Sequence, residues 1–129
     1  MNIELIQGDR PFDRTRQYSQ VVIAEGTRTV YIAGQAARDA DGALVGPGDM
    51  AAQARQAFAN IRYWVERAGG TMRNVVKLHI YVTDISKADA MIEARVEAFG
   101  DHRPAITLAE VRRLFSPDAL LEVDAIAVL

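Results

Sequence analysis

The residues best placed to do chemistry are two carboxylates near the end of the chain. Glu122 and Asp124 lie two apart in Leu121-Glu122-Val123-Asp124-Ala125-Ile126-Ala127-Val128. In an extended strand, residues two apart point to the same side. A strand otherwise built of Leu, Val, Ala and Ile holds two carboxylates for one of two reasons. Either that side meets water or an ion-pair partner, or a carboxylate there orients water and takes up a proton. Glu122 is the candidate for the second role, and Asp124 is expected in a salt bridge at an interface.

Other chemistries find little support. The chain has no cysteine, which excludes disulfides, thiolate catalysis and cysteine metal ligands. Its two histidines, His79 and His102, stand on different elements without an HxH or HExxH spacing, so no metal or other cofactor is expected. Ser19, Ser86 and Ser116 lack the context of a nucleophile elbow. Gly46-Pro47-Gly48 lacks the lysine of a phosphate-binding loop. A net charge of −2 and scattered basic residues offer no footprint for nucleic acid.

These residues need elements to hold them. At 129 residues the chain is read as one domain, 1–129, with half its residues hydrophobic. Met1 to Ile6 reads as a short strand and Gln7 to Gln17 as a loop. Tyr18–Ala24 and Thr29–Ala33 read as a hairpin across Glu25-Gly26-Thr27-Arg28, and the run Val21-Val22-Ile23 suggests burial on both faces. Asp39–Gly48 is rich in turn residues. Asp49 can cap a helix to about Ala68, with Ala54, Phe58, Ile61, Val65 and Ala68 on one apolar stripe and Gly69-Gly70 at its end. In Val75–Val82, Val76, Leu78, Ile80 and Val82 face one way and Lys77, His79 and Tyr81 the other. Ser86, with Asp89 three residues on, caps a second helix through Phe99, closed by Gly100. Strands over Ala105–Val111 and Leu120–Val128 complete the chain. This order predicts an α+β fold: a mixed sheet with two helices on one face, its other face covered by a partner.

Several pieces, in order and spacing, resemble the Rid family, also called the YjgF or L-PSP family. They are Tyr18-Ser19-Gln20, Ile32-Ala33-Gly34-Gln35, Ala52-Gln53-Ala54-Arg55-Gln56, the Val75–Asp84 strand, Glu97-Ala98-Phe99, Arg103-Pro104-Ala105 and Leu121–Val128. The resemblance implies a chorismate-mutase-like fold and a homotrimer whose sheets line a central barrel, with small-molecule clefts between subunits. It implies that Glu122 positions the water that attacks an imine carbon. It places Tyr18 in the cleft, against the plainer reading of a half-buried strand aromatic. It brings ligand against the main chain at Ala33 and Gly34, where glycine allows close approach; the plainer reading is a glycine that turns the chain.

Two positions depart from the family pattern. Imine-hydrolysing members carry an arginine directly after the Pro-Ala pair, which binds the substrate carboxylate; here Ile106 stands there, followed by Thr107 with one hydroxyl. A helix asparagine near the cleft is Glu93 here, whose plainer and favoured reading is a surface helix residue. Arg16, Arg38, Arg103 and Arg112 are the candidate replacement cations. The expected function is therefore enamine or imine deamination on a substrate other than a small 2-imino acid. The alternative is a non-catalytic trimer that binds a small molecule, and ribonuclease activity ranks last. The start of the chain does not resemble a signal peptide and no run is long enough to span a bilayer, so the expected address is the cytoplasm.

Overall fold

The computed structural model describes residues 2–129. Two sheets form. The smaller pairs β1 (Asn2–Ile6) with β2 (Val21–Glu25), antiparallel. The larger has four strands in the order β3 (Thr29–Gln35), β6 (Leu121–Val128), β4 (Val75–Val82) and β5 (Ala105–Glu110). It is mixed: β3–β6 and β6–β4 are antiparallel and β4–β5 is parallel. Helices α2 (Met50–Arg67) and α3 (Ala88–Phe99) connect β3 to β4 and β4 to β5, and both pack on one face. The parallel pair needs such a crossover, and α3 supplies it.

The core follows from the two periodicities. Leu78, Ile80 and Val82 of β4 and Leu121, Val123, Ala125 and Ala127 of β6 are buried against Phe58, Ile61 and Val65 of α2 and Met91 and Phe99 of α3. Phe58 and Phe99 meet edge to face at 6.0 Å, which ties the helices together. Asp49 caps α2 by accepting the Ala52 amide at 3.0 Å, and Gly69 ends it at φ +98°. The opposite face carries Tyr31, Lys77, His79, Tyr81, Thr107, Glu122, Asp124 and Ile126 without a covering layer.

The structure corrects several expectations. Val21–Ala24 and Thr29–Ala33 are strands but not a hairpin. β3 pairs with β6 while β2 pairs with β1, and the Leu129 carbonyl accepts from the amides of Thr27 and Arg28 in the connection. In that two-stranded ribbon one side lacks a layer, and Val21 and Ile23 are each 47 % exposed instead of buried on both faces. Val75, not Val76, begins the buried row of β4, because a register shift against β6 lies between Val75 and Lys77. A short helix, α1 (Pro11–Arg14), sits in the expected loop. The second helix starts differently too. Asp84, not Ser86, caps a 3₁₀ turn over Ile85–Lys87, and the Ser86 hydroxyl donates to Asp84 Oδ1 at 2.6 Å.

Candidate functional site

Glu122 leaves β6 on the uncovered face, in register with Tyr81 of β4. Beside it, β3 has a bulge: Ile32 pairs with Ala125 but Gln35 with Val123, so Ala33 and Gly34 stand opposite one residue. A side-chain carbon on Gly34 would sit 2.8 Å from Glu122 Cδ and Oε2. Absence of a side chain there is what lets the carboxyl lie across β3. Glu122 enters none of the ion pairs among the described residues. Asp124 Oδ1 lies 2.7 Å from His79 Nδ1 within the same chain.

Glu122 and Gly34 open into a cavity of about 780 Å³, with Arg38, Gln56, Asn60, Trp64 and Phe115 also on its wall. Half-buried side-chain amides fix this wall. Asn60 Nδ2 donates to the carbonyls of Ala36 and Arg38 at 3.1 and 2.9 Å, and Gln56 Nε2 donates to Asn60 Oδ1 at 2.9 Å. Gln53 is fully buried and does the same for the loop before β6. Its Nε2 donates to the carbonyls of Gly46 and Asp118, and its Oε1 accepts the Leu120 amide at 2.8 Å. Gln53, buried with its donor and acceptor atoms both bonded, makes a rigid tie. Arg38 is held by the Gly42 carbonyl at 2.8 Å and by the Ser116 hydroxyl, and it is the one candidate cation that shares the Glu122 cavity. Arg16 stacks on Phe12 at 4.4 Å and Arg112 is exposed, both outside that wall.

The remaining expected site residues lie elsewhere. The Ser19 amide donates to the Pro104 carbonyl and its hydroxyl to the Arg103 carbonyl, which sets Tyr18 beside the start of β5. In register terms, Ala105 aligns with Lys77 and Ile126, while Glu122 aligns with Tyr81 and Ala109, four residues along the strands. With about 3.3 Å per residue and about 4.8 Å between strands, the two places are on the order of 15 Å apart. Ile106 aligns with Leu78 and packs on the core, on the helix side of the sheet; Thr107 aligns with His79 on the uncovered side and accepts from Lys77 Nζ at 2.9 Å. Glu93 is exposed on α3 and borders a shallow depression with Gln17, Asp89 and Glu97. Within the chain, therefore, Gly34 and Glu122 converge with Arg38, whereas Tyr18, Ile106, Arg103 and Glu93 collect around α3 and the start of β5.

One residue of that second group escaped the sequence reading. Arg95 is 6 % exposed, and its Nη2 donates to the Gln17 carbonyl at 3.0 Å. Burial, with repulsion from Arg103, pushes its pKa down to about 10, and Tyr18 opposes the shift. An arginine on a helix reads as solvated, but its phase says otherwise. Met91, Arg95 and Phe99 are four apart and share the buried stripe of α3.

Comparison with known proteins agrees with this architecture. The sequence profile of the endoribonuclease L-PSP family matches residues 9–129. A RutC family protein of Pyrococcus horikoshii is 36 % identical over 110 residues, 85 % of each chain. The 3-aminoacrylate deaminase RutC of Acinetobacter baylyi is 34 % identical over 98 residues, 76 % of this chain and 77 % of its own. Among solved structures, a Rid-family protein of Yersinia pestis superposes with a TM-score of 0.90 at 32 % identity over all of both chains. RidA of a Psychrobacter species gives 0.74 at 32 % identity, covering 88 % of this chain and 89 % of its own.

Proposed function

The chain belongs to the endoribonuclease L-PSP family, the Rid family, and from that premise we propose that it hydrolyses an enamine or imine with release of ammonia, using Glu122 as the residue that handles water. The observation that carries this reading is the Glu122 carboxylate itself. It is unpaired, partly exposed, and laid over Gly34 at the wall of a cavity large enough for a metabolite.

The chemistry balances without a cofactor. An enamine that takes a proton on carbon becomes an iminium ion. Glu122 orients a water against the C=N carbon and accepts its proton as the C–O bond forms and the C=N pair moves to nitrogen. Returning that proton to nitrogen makes ammonia a leaving group, and as ammonia departs the carbinol oxygen gives its proton to Glu122 and becomes a carbonyl, which restores the proton taken up on carbon. The Gly34 main chain limits how the ligand approaches, and Tyr18 bounds the other side of the site.

The separation of Glu122 from Tyr18 in one protomer supports a homotrimer. Two groups about 15 Å apart serve one ligand only if a second copy brings the complementary group across an interface. The uncovered sheet face, with Tyr31 77 % exposed, and Phe115, 98 % exposed at the cavity rim, are surfaces suited to such contacts. In this reading the sheets line a chorismate-mutase-like barrel and the ligand clefts lie between subunits.

Ile106 sets the substrate apart from small 2-imino acids bound in the usual mode, since an apolar side chain on the core side makes no bidentate carboxylate contact. Ammonia release from imines generated in place by an amino-acid oxidase, or from enamines, tests the proposal. Turnover lost in Glu122→Gln supports it. Ligand binding without ammonia release from any such substrate sinks it and leaves a binding trimer.

A further inference from the structure

Arg95 poses a physical problem that the water chemistry at Glu122 does not solve. It is a cation, 6 % exposed, whose guanidinium donates to one neutral main-chain carbonyl, that of Gln17. Neither Arg95 nor Arg103 enters an ion pair among the described residues. A buried charge without a counter-charge is costly, and a second cation beside it raises that cost. The carboxylates of α3 do not relieve it. Glu93 and Glu97 are two residues from Arg95 on either side, which is about 200° around the helix, and both are exposed.

The same place already gathers the other groups an anion needs. Gln17 accepts from Arg95, Tyr18 follows it, and Ser19 is bound to the main chain of Arg103 and Pro104. Segment 17–19 thus lies between α3 and the start of β5. Two guanidinium groups supply planar paired donors, the geometry that fits a carboxylate.

We infer that Arg95 and Arg103, flanking Tyr18, form the carboxylate-binding site of this protein and take the place of a cation at position 106. The inference rests on the deaminase reading and narrows its substrate class to enamines or imines that carry a carboxylate. Because the cations sit on α3 and on the residue before Pro104, the carboxylate they hold lies in a different position from one bound at 106. The preferred spacing between carboxylate and C=N carbon then differs from that of a small 2-imino acid.

Binding is tested apart from turnover. Pyruvate and 4-oxopentanoate, two product-like oxo acids of different length, are titrated by calorimetry against their neutral methyl esters. Wild type is expected to bind at least one acid and neither ester. Arg95→Gln and Arg103→Gln should each weaken that binding by at least about 30-fold. Arg95→Lys should recover part of it. The ligand-free melting temperature of Arg95→Gln should be no lower than wild type, because a costly charge has gone; a purely structural arginine would lower it. Should Arg95→Gln fail to fold, Arg103→Gln decides alone. No binding of either acid to wild type, or equal binding by both variants, overturns the site. Acid binding lost in the variants without ammonia release anywhere upholds the site and removes the deaminase reading instead.

Discussion

A side-chain carbon on Gly34 would lie 2.8 Å from Glu122 Cδ, so the candidate water-handling carboxylate occupies the space that glycine leaves in the β3 bulge. The contact is with the far end of a flexible side chain, and Gly34 has no positive φ. Gly34→Ala is therefore expected to fold, with a melting temperature within a few degrees of wild type. The added methyl displaces the carboxylate, and a shift of about 1 Å in a catalytic group costs on the order of 100-fold in rate. Steady-state ammonia release beside thermal melting separates the two effects. Equal activity in wild type and Gly34→Ala would show that the Glu122 position does not matter.

Glu122→Gln keeps the shape of the side chain and removes its ability to take a proton. A general base is worth about 10²- to 10⁴-fold, so kcat should fall by that range while the fold and the assembly persist. The measurement is kcat by single-turnover ammonia release, checked by light scattering. Unchanged kcat would move the proton-handling role elsewhere.

Ile106→Arg tests the departure from the family pattern. Ile106 packs beside the core on the helix side of β5, next to Leu78 in register. Replacing it exchanges apolar burial for a long cation on an edge strand, at a cost of about 1–3 kcal/mol in urea unfolding. Hydrolysis of small 2-imino acids should nevertheless rise by at least tenfold, since the added cation supplies a bidentate carboxylate partner. No gain in a folded Ile106→Arg protein would mean that the cleft differs beyond this position.

His102 gives the fold a pH dependence. It is buried, and its Nε2 lies 2.6 Å from the Val75 carbonyl, so that nitrogen carries the proton of a neutral ring. Burial holds its pKa below the usual histidine value, opposed by the carbonyl contact. The unfolded chain binds a proton as pH falls through about 6.5 while the folded chain resists it, so stability present above 6.5 is lost below it. Asp101 and Asp84 have depressed values and act only nearer pH 4. Urea midpoints should fall between pH 7.5 and 5.5, and His102→Gln should flatten that slope. A slope that persists in His102→Gln would assign it to another group.

The periodic elements were legible from the sequence, and the non-local pairings were not. The α2 stripe, the alternation of β4 and the Glu122–Asp124 side of β6 follow from spacing alone. The β2–β3 hairpin fails because two adjacent strands with a short connection carry no sign that each will pair with a strand from elsewhere, β1 and β6. Val21 and Ile23 show the same limit, since an apolar run does not reveal how many layers will cover it. At the site, Glu122 and Gly34 were marked by a carboxylate in an apolar strand and by a glycine. Arg95 was hidden by its residue type, although its place in the Met91–Phe99 stripe was readable.

Tyr18 and Glu122 are too far apart to act together in one protomer, and that distance makes a prediction about assembly. Light scattering at micromolar concentration should report a trimer, and a monomer would sink the shared-cleft reading. Complementation is the sharper test. Tyr18→Ala and Glu122→Gln proteins, each inactive or nearly so, are mixed, dissociated in mild denaturant and reassembled. If each cleft takes Tyr18 from one subunit and Glu122 from its neighbour, random mixing restores a wild-type pair in about a quarter of the clefts. Ammonia release should then recover to roughly that fraction of wild type. A shared cleft predicts recovery because the lesions fall on opposite walls; a site within one protomer predicts none, since every copy carries one lesion.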